Sequence, residues 1–196
     1  MMPAFTDLTG LLGNALLIGV TVLQLPRILS LPKRYLALFT TAVLLFCLMP
    51  LAGLPLAGYL RGMVGDLSIT TLVLLLLALL RPYYVLVNDK QHAHLLILAA
   101  FTAICLYPLA LGIGLYDPYR LGYSNFLFIA SVLFIAIATM LIRDNLVALC
   151  LALAVLAWSL GWYESSNLWD YLIDPLVALY AISALILTRL KRYRRV

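Results

Sequence analysis

Six carboxylates and two arginines share the connections on one side of a series of apolar segments. The carboxylates are Asp7, Asp66, Asp117, Glu164, Asp170 and Asp174, and the arginines are Arg61 and Arg120. A guanidinium presents paired donors that match a phosphate or a carboxylate. Arg61 and Arg120 are therefore candidates to hold an anion. The same connections carry Tyr59, Tyr116, Tyr119, Tyr123, Trp162, Tyr163, Trp169 and Tyr171. If the segments cluster, these side chains converge on an aromatic and acidic outer vestibule. The candidate ligand-binding set is Asp66, Asp174, Arg61, Arg120, Tyr116, Asp117, Tyr163, Glu164 and Asp170. The plainer reading of the same residues is an aromatic belt at a membrane boundary, with helix caps and local ion pairs.

Asp66 and Asp174 stand out by position. Each precedes an arginine, Arg81 and Arg189, by 15 residues. That distance along a helix is about 22 Å at 1.5 Å per residue, against a hydrocarbon core of about 30 Å. Both acids are thus expected below the outer surface, where an ionisable group is usually paired or functional. Asp174 before Pro175 reads as a helix cap with proline at the first helical position. Asp66 after Gly65 reads as a second cap. Pro50, Gly53, Pro55 and Gly58 predict a broken second helix.

Other chemistry is sparse. His92 and His94 are the only histidines. Two residues apart, they point to different faces of a helix, so no metal site is expected. No nucleophile–histidine–acid set, metal motif or phosphate loop occurs, and no cofactor is predicted. Ser68, Thr70 and Thr71 near Asp66 are candidates to line a polar path. Cys47, Cys105 and Cys150 all fall within apolar segments and predict buried free thiols.

Seven segments must position these residues: Leu8–Leu25, Tyr35–Ala52, Leu67–Leu80, His92–Gly114, Asn125–Ile142, Asn145–Gly161 and Tyr171–Thr188. Hydrophobic residues make up 65% of the chain and charged residues 11%, where a soluble domain has about a quarter charged. The runs lack strand alternation, so helices are expected. If every segment crosses a bilayer, 11 of the 13 basic residues face one side, and only Arg61 and Arg120 face the other. The positive-inside rule then puts the amino terminus outside and the carboxyl terminus in the cytoplasm. The net charge of +5 marks that face and does not imply nucleic acid. The terminal run Arg189 to Arg195 is expected to meet anionic headgroups.

The expected fold is an all-α polytopic membrane protein, a single transmembrane domain over residues 1–196. One amino-terminal helix precedes three helical hairpins. The hairpins resemble one another: Cys47-Leu-Met-Pro50-Leu-Ala52 recurs as Cys105-Leu-Tyr-Pro108-Leu-Ala110. Parallel repeats are one reading, and chance similarity of leucine-rich sequence is the other. Gly10, Gly13, Asn14 and Gly19 give the first helix a small-residue face for packing.

The expected compartment is a bacterial inner membrane. The expected role is that of a non-enzymatic accessory subunit binding a membrane lipid or another membrane protein. A small transporter or channel using Asp66 and Asp174 is one alternative. An intramembrane enzyme acting on a lipid or glycan is the other. Arg61-Gly-Met-Val-Gly65-Asp66-Leu-Ser and Asn167-Leu-Trp-Asp170-Tyr-Leu-Ile-Asp174-Pro175 look motif-like, with no activity attached to either.

Overall fold

A computed structural model describes residues 5–51 and 53–193. Ala52 of the repeated string and Arg194 and Arg195 of the basic tail lie outside the described residues. Among the described residues the regular structure is helical apart from one two-residue β-ladder, as the apolar runs predict. The helices are α1 (Phe5–Leu23), α2 (Pro26–Leu29), α3 (Lys33–Leu48), α4 (Leu56–Val64), α5 (Ile69–Leu80) and α6 (Asp89–Ala110). After a 3-10 turn (Pro118–Gly122) come α7 (Phe126–Leu141), α8 (Asn145–Ser159), α9 (Leu168–Leu172) and α10 (Pro175–Tyr193). Each of the seven apolar segments contains one long helix. Among the described residues, only α6 is long and apolar enough to cross a membrane by length and composition, with 22 residues and a mean hydropathy of 2.0.

The chain divides into two compact units. The first holds residues 1–67, 72–86 and 162–164, and the second holds 68–71, 87–161 and 165–196. In the first unit α1 packs against α3 and α4. Ala15, Cys47 and Ala57 form its core, flanked by Leu11, Ile18, Val43 and Leu44. The small-residue face of α1 does this packing. A Cβ on Gly19 would come within 2.9 Å of Leu44 Cδ2, and one on Gly13 within 3.1 Å of Leu72 Cδ2.

The break expected around Pro50 is present. Helix α3 stops at Leu48, and Pro50–Leu51 (β1) pairs antiparallel with Leu54–Pro55 (β2) before α4 begins. The similar string at Pro108 behaves differently, because Pro108 lies inside the last turn of α6. The residues that follow explain this. Gly53 adopts φ +100° and allows the tight reversal, and Pro55 sits at the N-cap position of α4, which starts at the next residue. Leu and Ala follow both prolines, but after Pro108 the third residue is Leu111 in place of Gly53, and α6 runs on to Ala110. Cys47 is buried and Cys105 exposed, so the expectation of three buried thiols holds for Cys47 and Cys150 only.

In the second unit α6 packs along α10 and α8, and α7 packs along α8. The α7–α8 pair follows from their short connection, whereas α6 and α10 meet across a long stretch of chain. Buried Ala99 and Ala103 on α6, with Ala178 and Ala181 on α10, are small enough for close helix approach. The α7–α8 connection is three residues long, 142–144, with Arg143 at φ +62°. Gln91 Nε2 donates to the Arg143 carbonyl at 2.9 Å. The buried Asp144 carboxylate lies 2.7 Å from His94 Nδ1. These bonds tie that turn to the start of α6.

Candidate functional site

In the first unit the acids and the arginine form one closed group. Arg61, near the end of α4, donates from Nε to Asp66 Oδ1 at 2.6 Å and from Nη2 to Asp66 Oδ2 at 3.1 Å. Its Nη1 donates to Asp7 Oδ1 at 2.9 Å. The Asp66 hydrogen bond pushes the guanidinium pKa further up, against a smaller opposing effect of burial. The motif around residues 61–68 has a local reason. Gly65 ends α4 at φ +83°, which returns the chain so that Asp66 meets Arg61 five residues back. Asn14 Nδ2 donates to the carbonyls of Gly10 and Gly65 at 3.0 and 3.1 Å. A Cβ on Gly10 would collide with Asp66 Oδ1 and Arg61 Nε, so α1 carries glycine where the ion pair lies against it. Asn14 Oδ1 is buried and has no hydrogen-bond partner among the described residues.

Two carboxylates face one guanidinium here, so Arg61 is occupied and the group does not attract an anion. Asp66 is not the cap of α5, contrary to expectation. Ser68 takes that position, its Oγ accepting the Thr71 N–H at 3.2 Å. Asp66 is drawn away because a bidentate Arg–carboxylate pair outweighs one neutral capping bond. Tyr163 is buried and donates to the Leu67 carbonyl at 2.6 Å. Glu164 is exposed.

In the second unit Asp174 is the most fully bonded acid. Its Oδ1 accepts the Val177 N–H at 2.9 Å and caps α10, as predicted. Its Oδ2 accepts the Ser68 N–H at 2.7 Å and the Thr71 hydroxyl at 2.5 Å. Thr70 donates to the Leu172 carbonyl at 2.6 Å. One buried carboxylate thus holds two helix starts. Ser68, Thr70 and Thr71 serve this clamp, and none of the three hydroxyls is left to line a polar path.

The second motif-like stretch forms another network. Asn167 Oδ1 accepts the Trp169 N–H and caps α9, while Nδ2 donates to the Tyr119 carbonyl at 3.0 Å. Asp170 accepts from the hydroxyls of Tyr119, at 2.7 Å, and Ser165. Burial, reinforced by Asp170, raises the Tyr119 pKa well above the usual phenol range. Trp169 Nε1 donates to the Pro118 carbonyl at 3.0 Å. Asp117 accepts the Tyr119 N–H and caps the 3-10 turn. A Cβ on Gly122 would strike Asn167 Oδ1. Tyr116 and Arg120 are exposed, and their side chains make no hydrogen bond or ion pair among the described residues. Asn167 and Ser165 were absent from the candidate set. The signal for Asn167 is its tendency to bond the backbone two residues on in a turn, and Ser165 has no signal of its own.

Beneath this network lies a cleft of about 150 Å³ between α6, α7, α8 and α9. Its walls are largely apolar, among them Leu98, Phe128, Val132, Leu151 and Ile173. Ser131 and Ile135, which also line it, are exposed on α7. Trp169 is also part of the wall, with its ring 4.5 Å from that of Phe128. Three hydroxyls reach the wall. Thr70 and Ser131 are spent on the carbonyls of Leu172 and Leu127. Thr102 has no hydrogen-bond partner among the described residues. No group of three His, Cys, Asp or Glu side chains that could hold a metal occurs among the described residues.

No protein-family model, curated protein or solved structure matches this chain.

Proposed function

We propose that the protein is a seven-helix integral membrane protein that holds a lipid hydrocarbon chain in the cleft of the second unit. It serves as a binding or accessory subunit of a bacterial inner membrane, with its amino terminus outside and its carboxyl terminus in the cytoplasm. The apolar cleft lined in part by Trp169 carries this reading. A half-open apolar cleft with one unengaged hydroxyl suits an alkyl chain, which asks for no polar partners.

Two further observations support a membrane setting. Helix α7 exposes Phe126, Leu127, Phe134, Met140 and Leu141, each by two-thirds or more. A soluble monomer rarely presents so continuous an apolar face. The distribution of basic residues supports the orientation. Helices α5, α7 and α8 have 12, 16 and 15 residues, about 18, 24 and 22 Å. Local bilayer thinning and snorkelling of Arg81 and Arg143 accommodate that length. The engagement of Asp66, Asp170 and Asp174 in hydrogen bonds and ion pairs favours binding over transport or turnover, because each acid already has its partners.

The test uses Trp169 as reporter, with Trp158 and Trp162 changed to Phe. A brominated-chain phospholipid titrated into the detergent-purified protein should quench its fluorescence saturably, near one lipid per chain. Thr102→Leu, which adds bulk to the wall and orphans no partner, should weaken that quenching severalfold. Quenching that rises linearly without saturation, or that ignores Thr102→Leu, rejects the cleft as a binding site.

A further inference from the structure

The first unit contains a second pocket, of different chemistry. It has a volume of about 440 Å³ and lies between the ends of α1 and α5 and the start of α3. Its polar wall is Gln24, Lys33 and Arg81, and its apolar wall includes Leu29, Leu31 and Leu36. Neither Lys33 nor Arg81 pairs with an acid among the described residues. This contrasts with Arg61, which two carboxylates hold. Lys33 also begins α3, a helix of 16 residues that no side chain caps. An uncapped helix start adds partial positive charge to that wall. Tyr83 donates to the Lys33 carbonyl at 3.2 Å, which ties the chain just after Arg81 to the start of α3.

We propose that this pocket binds the headgroup of an anionic phospholipid. Lys33 and Arg81 take the phosphate, and Leu29, Leu31 and Leu36 take the glycerol and first methylenes. The lining selects this ligand over a free phosphate. Two unpaired cations recognise the anion, and half of the pocket is apolar, which a small hydrophilic anion cannot use. The site is separate from the cleft of the second unit and shares with the reading above only that the protein lies in a membrane.

The experiment is native mass spectrometry of the full chain in a neutral detergent, equilibrated with phosphatidylglycerol, phosphatidylcholine or glycerol 3-phosphate. Phosphatidylglycerol should be retained best. Lys33→Gln and Arg81→Gln should each weaken it about fivefold, and the pair about twenty-five-fold, on the scale of one surface charge against an anionic lipid. Both residues are exposed, so these variants keep the fold. Ala78→Trp fills the pocket with both charges in place and should weaken binding at least tenfold. Removing tail charge with Arg189→Gln and Lys191→Gln should change little. Equal losses from tail and pocket variants, or indifference to Ala78→Trp, would reduce the effect to general surface attraction and overturn the proposal. Competition by glycerol 3-phosphate as strong as by the lipid would also overturn it. Thr102→Leu serves as the internal control: it should leave phosphatidylglycerol retention intact, so the two sites can fail separately.

Discussion

Asp174→Asn should destabilise the protein well beyond the loss of an ordinary helix cap. Asparagine has one acceptor oxygen, whereas Asp174 uses two. If that oxygen stays on the Val177 N–H, the amide NH2 group faces the Ser68 N–H at a site where 2.7 Å now separates donor from acceptor. If the amide is turned, the cap of α10 is lost instead. Either rotamer leaves a buried donor facing a donor, at about 1–3 kcal/mol, and gives up charge-assisted bonds. The expected cost is about 2–3 kcal/mol for Asn. For Ala, which loses all three bonds, it is about 4–5 kcal/mol. A plain cap change to Ala costs about 1 kcal/mol. Asp66→Asn is the internal comparison. Its side chain is 20% exposed beside Arg61, so screening keeps the loss near 1 kcal/mol or below. Unfolding of the full chain by SDS titration, followed by circular dichroism, measures all three variants. Thr71→Val, which removes one donor to the same oxygen, should fall between wild type and Asp174→Asn. An Asp174→Asn variant within about 0.5 kcal/mol of wild type would refute the double-clamp account.

Gly10→Ala should cost about 1–3 kcal/mol by displacing the Arg61–Asp66 pair, measured by the same titration. Gly13→Ala, with only a flexible Leu72 methyl nearby, should cost less, and equal costs would argue against a packed ion pair. Reporter fusions after Arg34, Lys90 and Asp144 should read cytoplasmic, and those near Gly62, Arg120 and Ser166 external. A cytoplasmic reading at Ser166 would remove a later crossing and with it the seven-span arrangement. Cys47 and Cys150, both buried, should resist a membrane-permeant maleimide in the folded protein. Cys105, exposed on α6, should react, and the opposite order would contradict the packing of α6.

The positions of the long helices were legible in the sequence, because uninterrupted apolar runs without alternation leave the backbone few ways to satisfy its own hydrogen bonds. The caps at Asp174 and Asn125 were legible too. Asn125 accepts the Phe128 N–H, as its place at a run's start implies. The break after Leu48 followed from Pro50, Gly53 and Pro55. What only the tertiary structure decided is who meets whom. Asp66 and Asp174 look alike in sequence, each 15 residues before an arginine. One is drawn into an ion pair by Gly65 and by the glycine face of α1. The other is buried and shared between two helix starts. The strings around Pro50 and Pro108 look like copies, but the residues after them send one into a turn and keep the other helical. Arg61 and Arg120 are equal as composition, yet one is neutralised twice over and the other has no ion pair among the described residues. The two pockets, with the pairing of α6 with α10, have no sequence signature. They depend on which alanines and leucines come into contact, and a leucine-rich chain offers many equivalent choices until the whole fold selects among them.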